Sequence, residues 1–121
     1  MAEILTVDDS ASIRQTIKIT LGGAGHTVGE AVNGRDGLAQ TSGKRYDLII
    51  TDLNMPEMDG LAMIRELRKR RDFAGVPILF LTTESDAGIK QQAKAAGATG
   101  WITKPFNSDQ LIRIVDKVLA K

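Results

Sequence analysis

The sequence predicts an α/β fold made of five strand–helix units in succession, (βα)5, with helices on both faces of a parallel sheet. Two observations predict it. Short apolar runs recur along the chain with helix-like stretches between them: Ile4-Leu5-Thr6-Val7, Leu48-Ile49-Ile50-Thr51, Val76-Pro77-Ile78-Leu79-Phe80-Leu81 and Trp101-Ile102-Thr103. Such β-branched runs mark parallel strands buried on both faces, and right-handed crossovers then wind the sheet doubly. Each run also stops at a residue that carries chemistry: Asp8-Asp9, Asp52, Thr82 and Lys104. Ligands of open α/β sheets bind at the carboxyl ends of the strands, so these five residues are expected to meet at one rim.

The elements follow in order. After the first strand, Ser10 is an N-cap, and Ile13, Ile17, Thr20 and Leu21 recur at helical spacing until Gly22-Gly23 ends the helix. His26 to Ala31 reads as a second strand with Val28 as its core residue. Asn33-Gly34 breaks the chain, and a short helix runs from Arg35 to about Thr41 despite Gly37 within it. Tyr46 to Thr51 is the third strand. Leu61, Ile64, Leu67 and the Arg68 stem form the apolar stripe of the next helix. The fourth strand begins at Pro77, a residue tolerated at a strand start. Ser85 or Asp86 caps a helix carrying Ile89, Ala93 and Ala96, and Ala98 to Ile102 is the fifth strand. Asn107 to Gln110 has capping-box spacing before a final helix that gathers Leu111, Ile112, Ile114, Val115, Val118 and Leu119 on one side.

Length and composition bound the function. A chain of 121 residues is one domain by size, with a core large enough to need no staple. It has no cysteine, which excludes disulfides, thiolate metal sites and a thiol nucleophile, and suits a reducing cytosol. No apolar stretch is long enough to span a bilayer, and Met1-Ala2-Glu3-Ile4 lacks a basic signal region. With 16 basic and 15 acidic residues, charge makes no case for nucleic acid. The basic run Arg65-Glu66-Leu67-Arg68-Lys69-Arg70-Arg71 reads as a solvated helix face. His26, the single histidine, reads as a surface residue, and Ile19 as an isolated exposed apolar side chain off the core stripe.

At the rim, three acids at neighbouring strand ends repel one another and raise each other's pKa. Helix capping accounts for one acid per loop but not for Asp8 and Asp9 side by side facing Asp52. A hard dication resolves the repulsion, and Mg2+ takes carboxylates, waters and a phosphate. Asp52 can act as a nucleophile toward phosphorus. Lys104 supplies a point charge for phosphoryl oxygens, Thr82 a hydroxyl donor, and backbone N–H groups after Asp52 and Thr82 complete the cradle. Phosphoryl transfer needs little more than positioning and charge neutralisation.

With these residues on the page, a resemblance is plain. Asp52-Leu53-Asn54-Met55-Pro56-Glu57-Met58-Asp59-Gly60 resembles the phosphorylation loop of bacterial response-regulator receiver domains. Val7-Asp8-Asp9-Ser10, Leu81-Thr82-Thr83, Ala96-Gly97-Ala98 and Lys104-Pro105-Phe106 match the family's other motifs. The match covers the whole chain, and single-domain chemotaxis regulators of the CheY type are the members it most resembles. The resemblance implies a flavodoxin-like/CheY-like sheet of order 2-1-3-4-5 and one receiver domain over 1–121, with no output domain after the last helix. It makes Asp52 the phosphoacceptor, Asp9 the main Mg2+ ligand with Asp8 assisting, and the Asn54 backbone carbonyl a further ligand. Thr82 becomes the switch residue with Lys104, the Lys104-Pro105 bond is cis, and Asn54 and Glu84 tune phosphoryl lifetime.

Where the family most often has Tyr or Phe three residues before the lysine, this chain has Trp101. Trp101, with Lys90, Gln91 and Lys94 facing outward on the fourth helix, marks the expected output surface. The implied partners are a CheA-like histidine kinase or small acyl phosphate as donor, a downstream protein such as the flagellar motor switch, and a phosphatase. No nucleic acid or membrane partner is implied, and the chain is expected to be monomeric, cytoplasmic and a signalling module rather than an enzyme. A phosphate sink or phosphorelay carrier would share these residues. A haloacid-dehalogenase-type phosphatase wants its nucleophile after the first strand as D-x-D. An FMN carrier wants hydroxyls where Asp8-Asp9 stand.

Overall fold

The computed structural model describes residues 2–53, 58–82 and 87–120. Its elements alternate as β1 (Glu3–Val7), α1 (Ala11–Gly23), β2 (Thr27–Ala31), α2 (Gly34–Gly43), β3 (Leu48–Asp52), α3 (Gly60–Lys69), β4 (Ile78–Thr82), α4 (Ala87–Ala96), β5 (Gly100–Thr103) and α5 (Ser108–Leu119), with a 3-10 turn at Arg71–Phe73 before β4. The strands form one five-stranded sheet of order β2-β1-β3-β4-β5, and every neighbouring pair is parallel. This is the (βα)5 fold and strand order anticipated above.

Alternation along each strand explains why the runs are continuously apolar. Leu5, Val7, Ile49 and Ile78 point to one face, where Met63, Ile64 and Leu67 of α3 cover them. Ile4, Leu48, Ile50, Leu79 and Leu81 point to the other, against Ile17 and Leu21 of α1 and Leu111 and Val115 of α5. Each fully buried Leu or Ile contributes about 1.5–3 kcal/mol. A smaller cluster of Leu53, Phe80 and Ala93 seats α4.

The helix starts are set by short polar side chains. Ser10 Oγ accepts from Ile13 N at 3.3 Å, Asn33 Oδ1 from Asp36 N at 2.9 Å and Asp59 Oδ1 from Ala62 N at 2.9 Å. The capping box at Asn107 and Gln110 forms in both directions. The Ser85 or Asp86 cap lies outside the described residues.

α1 ends at Gly22-Gly23 as expected, and Gly25, whose φ is 97°, makes the turn that follows. Other local expectations are corrected. In β2 the buried apolar residue is Ala31, while Val28 is half-buried, because β2 is an outer strand. β3, β4 and β5 are displaced toward the carboxyl side by one or two residues. Gly37 is needed where it stands: a Cβ there would lie 2.7 Å from Met63 Sδ and 3.3 Å from Val7 Cγ2, so glycine lets α2 press onto β1 and α3.

The basic run is not a uniformly solvated face. Arg68 is drawn inward, its Nη1 donating to the carbonyls of Phe73 (2.8 Å) and Val76 (2.7 Å) and its Nη2 to that of Gly97 (2.8 Å). Burial pushes its pKa down from the ordinary arginine value. Arg70 Nη1 donates to Thr41 Oγ1 at 2.9 Å, tying α3 to α2. The reason lies in the carbonyls left open where α4 and the 3-10 turn end, which guanidinium forks satisfy. His26 also has a structural bond, its Nδ1 accepting from Ala2 N at 3.1 Å. Ile19 is 66 % exposed.

Candidate functional site

The carboxyl ends of β1, β3, β4 and β5 gather the residues that the sequence singled out. Asp8 follows β1 and is fully buried, whereas Asp9 beside it is exposed. Asp52 is the last residue of β3. One carboxylate oxygen from each of Asp8, Asp9 and Asp52 lies within 4.8 Å of the other two. Lys104, just past β5, brings Nζ to 3.6 Å from Asp52 Oδ2 and 3.7 Å from Asp8 Oδ2. These distances are Coulombic range rather than hydrogen bonds. Thr82 ends β4, nearly buried, and its carbonyl accepts from Lys104 N at 2.8 Å. The Lys104-Pro105 peptide is cis.

Local bonds hold the acids. Asp8 Oδ1 accepts from Ser10 N at 2.9 Å, and Asp52 Oδ1 accepts from Leu53 N at 2.8 Å. Asp8 Oδ2 is buried with no hydrogen-bond partner among the described residues. An orphaned buried carboxylate oxygen facing two further carboxylates is costly in water-poor surroundings, and an oxygen-preferring dication is the group whose chemistry it fits. Asp8, Asp9 and Asp52 are therefore the residues that could hold such an ion.

Burial raises the pKa of Asp8 above the ordinary carboxylate value. The negative charges of Asp52 and Asp9 add to this, and the Ser10 N–H and Lys104 oppose it. The native carboxyl keeps its proton to higher pH than the unfolded one. The resulting penalty is absent in acid, grows once pH exceeds the unfolded value, and is complete above the native value. Asp8→Asn, which removes the buried charge, is accordingly expected to raise the Tm of the metal-free protein near neutral pH. The gain should vanish at acid pH. Thermal melts of both proteins in EDTA across pH check this, and an unchanged or lower Tm for the variant at neutral pH would count against a strained carboxylate.

The comparison with known proteins decides the family. The description "Response regulator receiver domain" matches residues 4–116. This chain belongs to the response-regulator receiver family. The receiver is 46 % identical to the chemotaxis response regulator CheY4 of Vibrio cholerae, with a TM-score of 0.94 and 98 % of each chain covered. It is 33 % identical to Protein PilH of Pseudomonas aeruginosa over 99 % of both chains. It is 29 % identical, with a TM-score of 0.92, to the receiver domain of sensor histidine kinase PA1611 from Pseudomonas aeruginosa PAO1, solved with a magnesium ion in its active-site cleft, covering 99 % of this chain and 98 % of that one. It also spans about a quarter of the length of the curated transcriptional regulators that it matches. The receiver is thus a CheY-like, two-component signalling domain, and the phosphatase and FMN-carrier readings fall away.

Other anticipated positions fare differently. Asn54 and Glu84 lie outside the described residues. Trp101 stands on β5 at 39 % exposure, its ring 6.2 Å from that of Phe80. Lys94 and Gln91 are exposed on α4. Lys90 is half-buried because its ammonium lies over the Trp101 ring, 4.5 Å from the centroid, in a cation–π contact.

One rim residue, Gly60, has a constraint that its motif does not announce, and another, Arg14, lies outside every motif. Gly60 N donates to Leu53 O at 3.0 Å, and a Cβ on Gly60 would collide with the Asp52 carbonyl oxygen. Arg14 Nη1 donates to the Asp8 carbonyl at 2.6 Å. The available signal for Arg14 was a cation one turn into α1, where the helix dipole disfavours positive charge.

Proposed function

We propose that this chain is a single-domain response regulator of a two-component, chemotaxis-type system, cytoplasmic and monomeric, in which Asp52 accepts a phosphoryl group. The observation that carries the reading is the convergence of Asp8, Asp9 and Asp52 with the Lys104 ammonium on one strand-end rim. The full-length likeness to CheY4, a chemotaxis regulator, supports the chemotaxis setting, and the magnesium ion in the PA1611 receiver supports the cofactor. No described helix is long and apolar enough to cross a membrane.

In this mechanism Asp8, Asp9 and Asp52 would hold Mg2+, with the Asn54 carbonyl as the further ligand that the family resemblance implies. When bound, the ion would supply charge neutralisation for the incoming phosphoryl oxygens. A carboxylate oxygen of Asp52 attacks phosphorus while the P–N bond of a kinase phosphohistidine breaks, and the imidazole leaves with the bonding pair. Lys104 pairs with a phosphoryl oxygen, and the Thr82 hydroxyl donates to another. Water later attacks phosphorus and returns the Asp52 carboxylate and inorganic phosphate, with Asn54 and Glu84 setting its access. A CheA-like kinase would be the donor, a phosphatase would speed the return, and a motor-switch-type protein would read the output face at Trp101, Lys90 and Lys94. The PA1611 receiver belongs to a sensor kinase, which favours a phosphate sink or relay carrier as the second reading. Phosphate handed from this chain to a second histidine-containing protein, rather than lost to water, would select it.

The switch has a direct readout. Drawing Thr82 toward a phosphoryl oxygen frees space beside Phe80 and α4, and Trp101 then leaves its stack with Lys90. Both states need differ by only a few kcal/mol, so ligand and output partner each strengthen the other's binding. Beryllofluoride with Mg2+ is expected to change Trp101 emission and quencher access, and Thr82→Ala to blunt that change while Asp52 still takes phosphate. Identical emission in protein shown to hold the mimic would remove Trp101 from the switch.

A further inference from the structure

Arg14 belongs to α1, but its guanidinium turns back over the loop that ends β1. Nη1 donates to the Asp8 carbonyl oxygen at 2.6 Å, and Nε pairs with Glu30 Oε1 on β2 at 3.2 Å. The side chain is only 14 % exposed. Asp8 is held elsewhere too: its N–H donates to Ala31 O at 3.0 Å, and its Oδ1 accepts from Ser10 N. The carbonyl that Arg14 grips belongs to the planar peptide joining Asp8 to Asp9. Fixing that plane fixes the direction in which Asp9 leaves it.

The placement runs against simple electrostatics. A cation near the amino end of α1 opposes the helix dipole, and a positive charge beside a dication site weakens it. Glu30 offsets the first cost through the ion pair, and Lys18 Nζ, 3.4 Å from Glu30 Oε2, helps to hold that carboxylate.

We propose that Arg14 is a positioning residue for the acidic pair: anchored by Glu30, it orients the Asp8–Asp9 peptide so that both carboxylates converge with Asp52. This rests on the reading that the three acids hold Mg2+. A planar fork reaches the carbonyl and the carboxylate at once, which an ammonium cannot reproduce.

The test is a calorimetric Mg2+ titration of wild type, Arg14→Gln, Arg14→Lys and Asp9→Ala, at a temperature where melts show each folded. Loss of charge alone should tighten Mg2+ binding. Loss of positioning should weaken it about 10-fold, the usual cost of removing a group that orients a metal ligand. We expect weakening in both Arg14 variants, with Arg14→Lys failing to rescue. Glu30→Gln should weaken Mg2+ in wild type but add little in the Arg14→Gln background. Where Arg14→Gln does not fold, Arg14→Lys carries the test. Unchanged or tighter Mg2+ binding in the folded Arg14 variants, with wild type binding normally, would overturn the proposal and leave a tie between α1 and β2. Absent binding in wild type, or an unchanged titration in Asp9→Ala, would instead overturn the metal reading itself.

Discussion

Asp52→Asn is expected to abolish labelling by a small acyl phosphate, a fall on the order of 10^3 or more, as for loss of other enzymic nucleophiles. The amide preserves shape but is a far weaker nucleophile. It also removes one of the three carboxylates that approach within 4.8 Å of each other, so Mg2+ binding should fall with it. EDTA should silence wild type in the same assay. The measurement is incorporation of radiolabelled phosphate with acid-labile, base-labile chemistry, which marks an acyl phosphate. Normal labelling of Asp52→Asn, with peptide mapping showing no substitute acceptor, would sink the assignment.

Gly60→Ala should be strongly damaging for a single added methyl. Helix propensity alone predicts the opposite, since alanine is better than glycine inside a helix by about 1 kcal/mol. But the new Cβ would meet the Asp52 carbonyl oxygen and lie 3.0 Å from Leu53 Cα. Both are backbone and cannot swing aside. Either the end of β3 or the start of α3 must move, and either displaces Asp52. We expect a loss of about 3 kcal/mol in urea unfolding together with slower phosphorylation. Wild-type stability in the variant would show that α3 has room to retreat.

How much was legible in the sequence follows from what sets each feature. The central strands and the rim acids were readable, because burial on both sheet faces leaves continuous apolar runs such as Leu48-Ile49-Ile50-Thr51 that stop at the rim. Strand ends were not, since ladder register rather than hydrophobicity fixes them, as with β5 at Gly100–Thr103. Outer strands blur the pattern further: Val28 is half-buried and Trp101 partly exposed. The Arg68 stem was legible on the apolar stripe of α3, but the partners of its guanidinium were hidden, because they are main-chain carbonyls that no side-chain pattern announces. The Gly60 constraint was hidden for the same reason, being a close approach of two backbones.

The order of the strands bears on how the protein is made. In a parallel sheet no neighbouring strands are joined by a hairpin, so the rim has no precursor that a short stretch of chain could form alone. Asp8, Asp9 and Asp52 all leave the ribosome before Lys104, and β5 is the last strand to add at its edge. A half-synthesised sheet would carry the acids without the ammonium that comes to 3.6 Å from Asp52 in the finished one. On the reading proposed above, a rim able to neutralise phosphoryl oxygens would then exist only once β5 has joined the sheet and α5 has closed over it.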